Sequence, residues 1–402
     1  MKKRIIFLLM LLFPCLMLSA WSGEMRQLRK GFACPPESAQ ARTWWHWING
    51  NVTADGITAD LEAMKRAGVS EAQIFNVDQG FPEGDAEYMS RKWLRLFRFA
   101  AEEAGRLGIS LGFNNAAGWS ATGGPWVTPE YGMQKVVWSE TEVDGDSRGR
   151  AELPIPEKNL GYYRDIAVLA FPSPDGKARI GKLEVKTLSG QTFENGLLPD
   201  FSPVPSSSVV DRSRILDLTA LMNEDGVLDY DFPQGKWTVL RIGHTPTGVE
   251  NRPANRTGRG LECDKMSRKA ADVYWDGGIR PILDCLGDLV GTVVTNCLID
   301  SYEVGCGNWT PGFRKEFRRI AGYDCIPYLA TLAGYYVGSG EESERFLWDF
   351  RNVIGRLMEE NYFGYLAGRF RECGMLCSIE PYGGPFDCLD AGAAGDIPMG
   401  EF

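Results

Sequence analysis

The chain has 402 residues, 44% hydrophobic and 24% charged, which is ordinary globular composition and long enough for two domains or one large barrel. A formal net charge of −10, with no clustered Lys and Arg, argues against a nucleic-acid partner and favours neutral or weakly polar substrates. The first residues, MKKRIIFLLMLLFPCLMLSAWSGE, pair a basic start (Lys2, Lys3, Arg4) with an apolar run from Ile5 to Leu18 and small residues after it. They predict a cleaved export signal over 1–23, a periplasmic or extracellular location, and no membrane span after cleavage. Ten cysteines become nine once Cys15 leaves with the signal, and an odd number cannot all pair within one chain. Cys373 and Cys377, with three residues between them in CGMLC rather than two, lack the second pair a zinc ribbon needs, so the cysteines read as core.

Next, ARTWWHWING reads as a strand, and GITADLEAMKRAG as a helix with Ile57, Leu61 and Met64 on one face and Gly68 as its stop. EAQIFNV is a second strand. SRKWLRLFRFAAEEAGRLG is a second helix, with Trp93, Phe97, Ala100, Ala104 and Leu107 at alternating spacings of four and three between Ser90 as N-cap and Gly108 as stop. ISLGFNNAAGW is a third strand. Alternating strand and helix imply parallel strands and right-handed crossovers. From about Val136 to Gly248 the texture changes to short β-rich runs (VVWSETEV, DIAVLAFP, KLEVKTL, KWTVLRIGH) broken by Pro, Gly, Asp and Ser, which predicts an inserted all-β domain. The α/β rhythm resumes at GLECDKMSRKAADVYWDGG and reaches the strand VGTVVTNCLID. A long helical region then runs to Gly374 before the strand MLCSIEPYGG.

The reading is therefore an α/β chain: an incomplete (β/α)8 TIM-type barrel over 24–135 and 251–402 that stops inside its fold, interrupted by a β-rich domain over 136–250. In such folds reactive groups gather at the carboxyl ends of strands. There the sequence places Trp45, His46, Trp47 and Asn49, then Asn76 and Asp78, then Asn114, Asn115 and Trp119, then Asp300 and Glu303, and finally Glu380 and Tyr382. Indoles stack on sugar rings, amides bond hydroxyls, and paired carboxyl groups cleave glycosidic bonds, so the set predicts a glycosidase. Spacing does not separate Asp300 from Glu303: either is an acid, the other a hydroxyl or calcium ligand, or both are loop formers. Asp349 falls inside a helical pattern and reads as solvated or structurally paired. His46 and His244 are the two histidines, too few for a His-rich zinc hydrolase or a comfortable Ser-His-Asp triad.

WWHWINGNVTADGITADLEAMKRAG, QIFNV, NNAAGWSATGGPWVTPE, GLECDKMS, DSYEVG and EPYGGPFDCLDAGAAGDIPMGEF, in this order, resemble glycoside hydrolase family 106, the α-L-rhamnosidases. The resemblance covers essentially all of the mature chain. It implies a calcium-assisted (β/α)8 site, with calcium ligands unassigned, that releases L-rhamnose from glycans with inversion. It makes Glu303 the general acid and Asp300 and Asp349 supporting acids, and it implies a partner glutamate acting as base on a strand beyond Phe402. Two other outcomes stand beside it: a non-catalytic carbohydrate-binding protein, and an inactive fragment.

Overall fold

The computed structural model describes residues 23–36, 39–145, 150–190 and 196–400, so nearly all of the expected signal lies outside the described residues. The first helices form where the apolar stripe and the caps agree. In α1 (Ala54–Arg66) the Thr53 side chain caps the Gly56 amide, and Ile57 and Leu61 are buried. In α2 (Arg91–Leu107) Ser90 caps the Trp93 amide, and Gly108, at φ +64°, ends the helix in a left-handed conformation that suits glycine. Its stripe of Trp93, Phe97, Ala100 and Ala104 is fully covered, with Ala101 beside it. Burying side chains as large as Trp93 and Phe97 contributes about 1.5–3 kcal/mol or more each, which outweighs helix propensity.

These helices pack on a six-stranded sheet in which every neighbouring pair is parallel. Its first three strands are β1 (Ala41–Ile48), β2 (Val69–Val77) and β3 (Ser110–Asn114). Between β3 and the fourth parallel strand the chain builds a second, antiparallel sheet from β4 (Gln134–Asp144), β5 (Arg164–Pro172), β6 (Leu216–Asp217) and β7 (Lys236–Pro246), in the order β4-β7-β5-β6. The parallel sheet then continues with β8 (Val294–Ile299), β9 (Leu376–Ile379) and β10 (Ile397–Pro398), giving the strictly sequential order β1-β2-β3-β8-β9-β10.

Residues 136–250 do not form strands throughout. Leu183–Lys186 is a helical turn where KLEVKTL reads as a strand. Val209–Val210 pairs in parallel with Tyr336–Val337, far along the chain. Alternation along β5 shows how closely the segment is joined to the rest: Val168 and Ala170 face a small core with Trp237 and Val239, while Ala167, Leu169 and Phe171 enter the main core.

Helices α3 (Arg268–Tyr274) and α4 (Arg280–Leu286) precede β8, and α5 (Phe313–Ala321) follows it. The long helical region before β9 is two helices, α6 (Gly340–Met358) and α7 (Gly364–Glu372), joined by a π-helical turn over Glu359–Phe363. One apolar face of these helices is covered: Phe346, Phe350, Val353, Leu357, Phe363, Leu366 and Phe370 are buried, and Cys373, which continues the spacing, is half-buried. The last helix, α8 (Cys388–Ala394), is capped by Asp387.

Candidate active site

On β1 the side chains alternate, and the alternation divides the expected residues. Trp45 and Trp47 face the helices: the Trp45 indole donates to Asp60 Oδ2 at 3.0 Å, and Trp47 packs edge-on against Trp93 and Phe97. Both are packing residues, which corrects their assignment to substrate binding. Trp44 and His46, on the opposite face, pack on Phe75 with ring centroids 4.7 and 5.3 Å away. His46 Nε2 accepts from the Trp119 indole at 3.2 Å, and partial burial lowers the imidazole pKa, in keeping with a neutral acceptor. Trp119 keeps an exposed face beside it. Asn49 sits at φ +45° and donates to Phe81 O at 2.8 Å, so it shapes a turn. Asn76 accepts from the Trp93 indole and Asp78 from the Gly80 amide.

The ends of β3, β8 and β9 converge. Glu380 N donates to Ile299 O, Asn115 N to Leu298 O and Tyr302 N to Tyr382 O, all at about 3.0 Å or less. Gly383, at φ +82°, allows the last approach, because a Cβ there would lie 2.2 Å from Tyr302 O. The Asp300 carboxyl is buried at this junction and accepts from Asn114 Nδ2 at 3.2 Å and from Ser301 N at 2.9 Å. Burial chiefly, then the charge of Glu380 and a hydrogen bond with it, push the Asp300 pKa up to about 8; Glu303 adds a smaller push in the same direction. Buried Glu380 accepts from Tyr382 Oη at 2.8 Å. The Asp300 carboxyl therefore keeps its proton near neutral pH, held by its dry surroundings and by the acidic Glu380 beside it. Glu303 is exposed on the loop three residues on and accepts from Ser301 Oγ at 2.9 Å.

The structure therefore gathers Asn114, Asp300, Glu303, Glu380 and Tyr382. Asn115 is a brace instead, donating to Ala121 O and Tyr362 Oη. Asp349 lies on α6 and accepts from Tyr323 Oη at 2.8 Å, a structural partner well served by the helix position. Sequence reasoning missed two contributors. Trp44 could have been found by asking which half of the WWHW alternation lies opposite the helices. Lys265 could not: it is buried against Glu262 at 2.6 Å, with its ammonium 4.9 Å from the Tyr302 ring centroid, under the loop that carries Asp300 and Glu303.

Asp300 makes stability depend on pH. Its folded pKa, about 8, exceeds the ordinary carboxylate value, so the folded state holds more protons than the unfolded chain between about pH 4 and pH 8. Stability is greatest at the low end of that window and falls as pH rises through about 8. Asp264, raised by burial to about 7, works in the same direction. The urea midpoint should therefore drop between pH 5 and pH 9, and Asp300→Asn should flatten part of that slope; an identical slope in the variant would place the Asp300 pKa in the ordinary range.

Residues 33–173 and 173–402 match the family model described as alpha-L-rhamnosidase, glycoside hydrolase family 106. The chain belongs to this family. A curated protein of Formosa agariphila named "Putative beta-glucuronidase" is 56% identical over 379 residues, covering 94% of this chain and 32% of that protein. The solved structure of a rhamnosidase from Novosphingobium sp. PP1Y superposes with a TM-score of 0.79 at 30% identity, covering 92% of this chain and 49% of that one. The chain thus spans about a third of the curated relative and about half of the solved rhamnosidase. The mixed α/β fold, which contains the parallel sheet, is shared with this rhamnosidase.

Proposed function

We propose that these residues form the acid-bearing part of an exported α-L-rhamnosidase of the relatives' length, built on a (β/α)8 barrel of which β1-β2-β3-β8-β9-β10 are six strands, and acting on rhamnose-containing glycans. The observation that carries the reading is the carboxyl cluster at neighbouring strand ends, with the pKa of buried Asp300 raised to about 8 beside Glu380 and the exposed Glu303 within electrostatic reach. In this scheme Glu303 protonates the leaving glycosidic oxygen, because it is the accessible carboxyl of the three. Asp300 keeps its proton beside it, so the site does not accumulate full negative charge as Glu303 gives its own away. Asn114 and Tyr382 fix the two buried carboxyl groups. Inversion also needs a second carboxylate to deprotonate water. Export rests on the apolar leader over 1–23. Among the described residues no helix is long and apolar enough to cross a membrane.

The calcium implied by the family has a poor fit here. Among the described residues no group of three or more acidic, His or Cys side chains is placed to hold a metal. Asp300, Glu380 and Asn114 fall short of the roughly six to eight oxygens calcium takes, so no step of the scheme runs through it.

The name of the Formosa relative favours a second reading, a β-glucuronidase on the same carboxyl cluster. Aryl α-L-rhamnoside and aryl β-D-glucuronide offered side by side separate the two. Release from the rhamnoside, with the inverted anomer appearing first by proton NMR, is expected; release from the glucuronide alone would overturn the rhamnosidase reading.

A further inference from the structure

Beyond the carboxyl cluster, a cleft of about 430 Å³ opens between one stripe of α6 and the loop that follows β9. Trp348, Arg351 and Asn352 line its helix side, and Gly384, Pro385 and Phe386 its loop side. This is the loop that begins with Glu380 and Tyr382. Phe386 packs edge-on against Tyr302 with centroids 5.8 Å apart, and a Cβ on Gly355 of the stripe would lie 3.1 Å from Pro385 O. Five residues of chain reach at most about 18 Å, so the cleft and the carboxyl cluster lie within the span of one short oligosaccharide.

The polar groups of the cleft are unequally satisfied. Arg356 is paired with Glu359 at 3.3 Å, Glu360 at 3.7 Å and Asp390 at 3.3 Å. Asp387 is occupied as the cap of α8, and its amide donates to Glu359. Arg351, half-buried, donates only to the backbone oxygen of Lys186, at 2.9 Å, and no carboxylate lies within ion-pair distance of it among the described residues. Burial lowers its pKa, and the charge of Glu344, beyond ion-pair distance, offsets that only in part. The Asn352 amide makes no hydrogen bond among the described residues. Beside them Trp348 is 52% exposed, on a helix whose opposite face is core. A guanidinium fork only partly compensated, by the distant charge of Glu344 and one backbone oxygen, next to an open indole face suits a ligand that is both flat and anionic.

We propose that this cleft is a second sugar site, which takes an acidic sugar residue of the glycan by stacking its ring on Trp348 and pairing its carboxylate with Arg351. The proposal rests on the glycan-hydrolase reading for its ligand class, but its test reads binding alone. The 402-residue chain is titrated calorimetrically with methyl β-D-glucuronide, methyl β-D-glucoside and glucose 6-sulfate. Saturable binding of the glucuronide is expected, about ten- to a hundredfold tighter than the glucoside, as charge-assisted hydrogen bonds dictate. Arg351→Met and Trp348→Ala should each remove most of that affinity, while Glu303→Gln leaves it unchanged. Arg351→Lys keeps the charge without the fork and should give an intermediate value in a chain whose far-ultraviolet circular dichroism matches the parent. Tighter binding of the sulfate than of the glucuronide would overturn the carboxylate assignment. Affinity insensitive to Arg351 and Trp348, or no saturable binding, would overturn the site itself, whatever the protein hydrolyses.

Discussion

Replacing Glu303 with Gln should lower kcat on an α-L-rhamnoside by about 10²–10⁴-fold, the usual worth of a positioned general acid. The change is nearly isosteric and falls on an exposed loop side chain whose hydrogen bond from Ser301 Oγ a glutamine oxygen can still accept. Stability should therefore hold while rate falls. The loss should grow with the difficulty of the leaving group, because an aryl oxygen that departs easily needs little protonation, whereas a sugar hydroxyl needs nearly all of it. Steady-state kinetics on an aryl rhamnoside and on a rhamnosyl disaccharide give the two values. Equal, small losses on both would remove Glu303 from the proton transfer and leave the buried pair as the source.

Lys265→Met should cost about 3–5 kcal/mol of folding stability, the penalty for stranding a buried charge. Lys265 and Glu262 are essentially inaccessible, and the ammonium is 2.6 Å from Glu262 Oε2 and 3.2 Å from Thr122 Oγ1. The other Glu262 oxygen already lacks a partner among the described residues, so removal of the lysine would leave a carboxylate with only Thr122 to hold it. The double variant Glu262→Leu/Lys265→Met should be far less damaging than either single change, because it removes both charges together. Urea unfolding of the three variants supplies the cycle. Since Lys265 also lies beneath the Tyr302 ring, with Tyr362 on its other side at 5.7 Å, the single variant should loosen the Asp300 to Glu303 loop and lower activity as well. A loss under about 1 kcal/mol for Lys265→Met would mean that the pair is hydrated in solution.

What was legible in the sequence follows from which physical signals leave a pattern. Helices α1 and α2 carry apolar stripes and recognisable caps, so Ser90, Gly108 and the Trp93 to Ala104 face stand where the spacing put them. Asp300, Glu303, Glu380 and Tyr382 were reachable because parallel strands place their C-terminal residues at one edge. The WWHW stretch was not resolved, because aromatic residues fill both faces of β1 and a period of two then carries no sign. Only the packing of Trp47 on Trp93, and of His46 on Trp119, assigns the faces. β10 has two residues, too few for any periodicity. Glu262 and Lys265, three apart and flanked by Asp264, look like a solvated surface pair; burial is a property of the assembled chain. The π-helical turn over Glu359–Phe363 leaves no mark in a stripe that reads as one continuous helix.

The central claim, that buried Asp300 keeps its proton beside Glu380 and Glu303 at neutral pH, is open to a direct titration. Carbon-13 labelling of aspartate, with the Asp300 carboxyl resonance identified by its loss in Asp300→Asn, follows that group from pH 4 to pH 10. A midpoint near 8 is predicted; a midpoint near 4 would show Asp300 ionised at neutral pH and contradict the account.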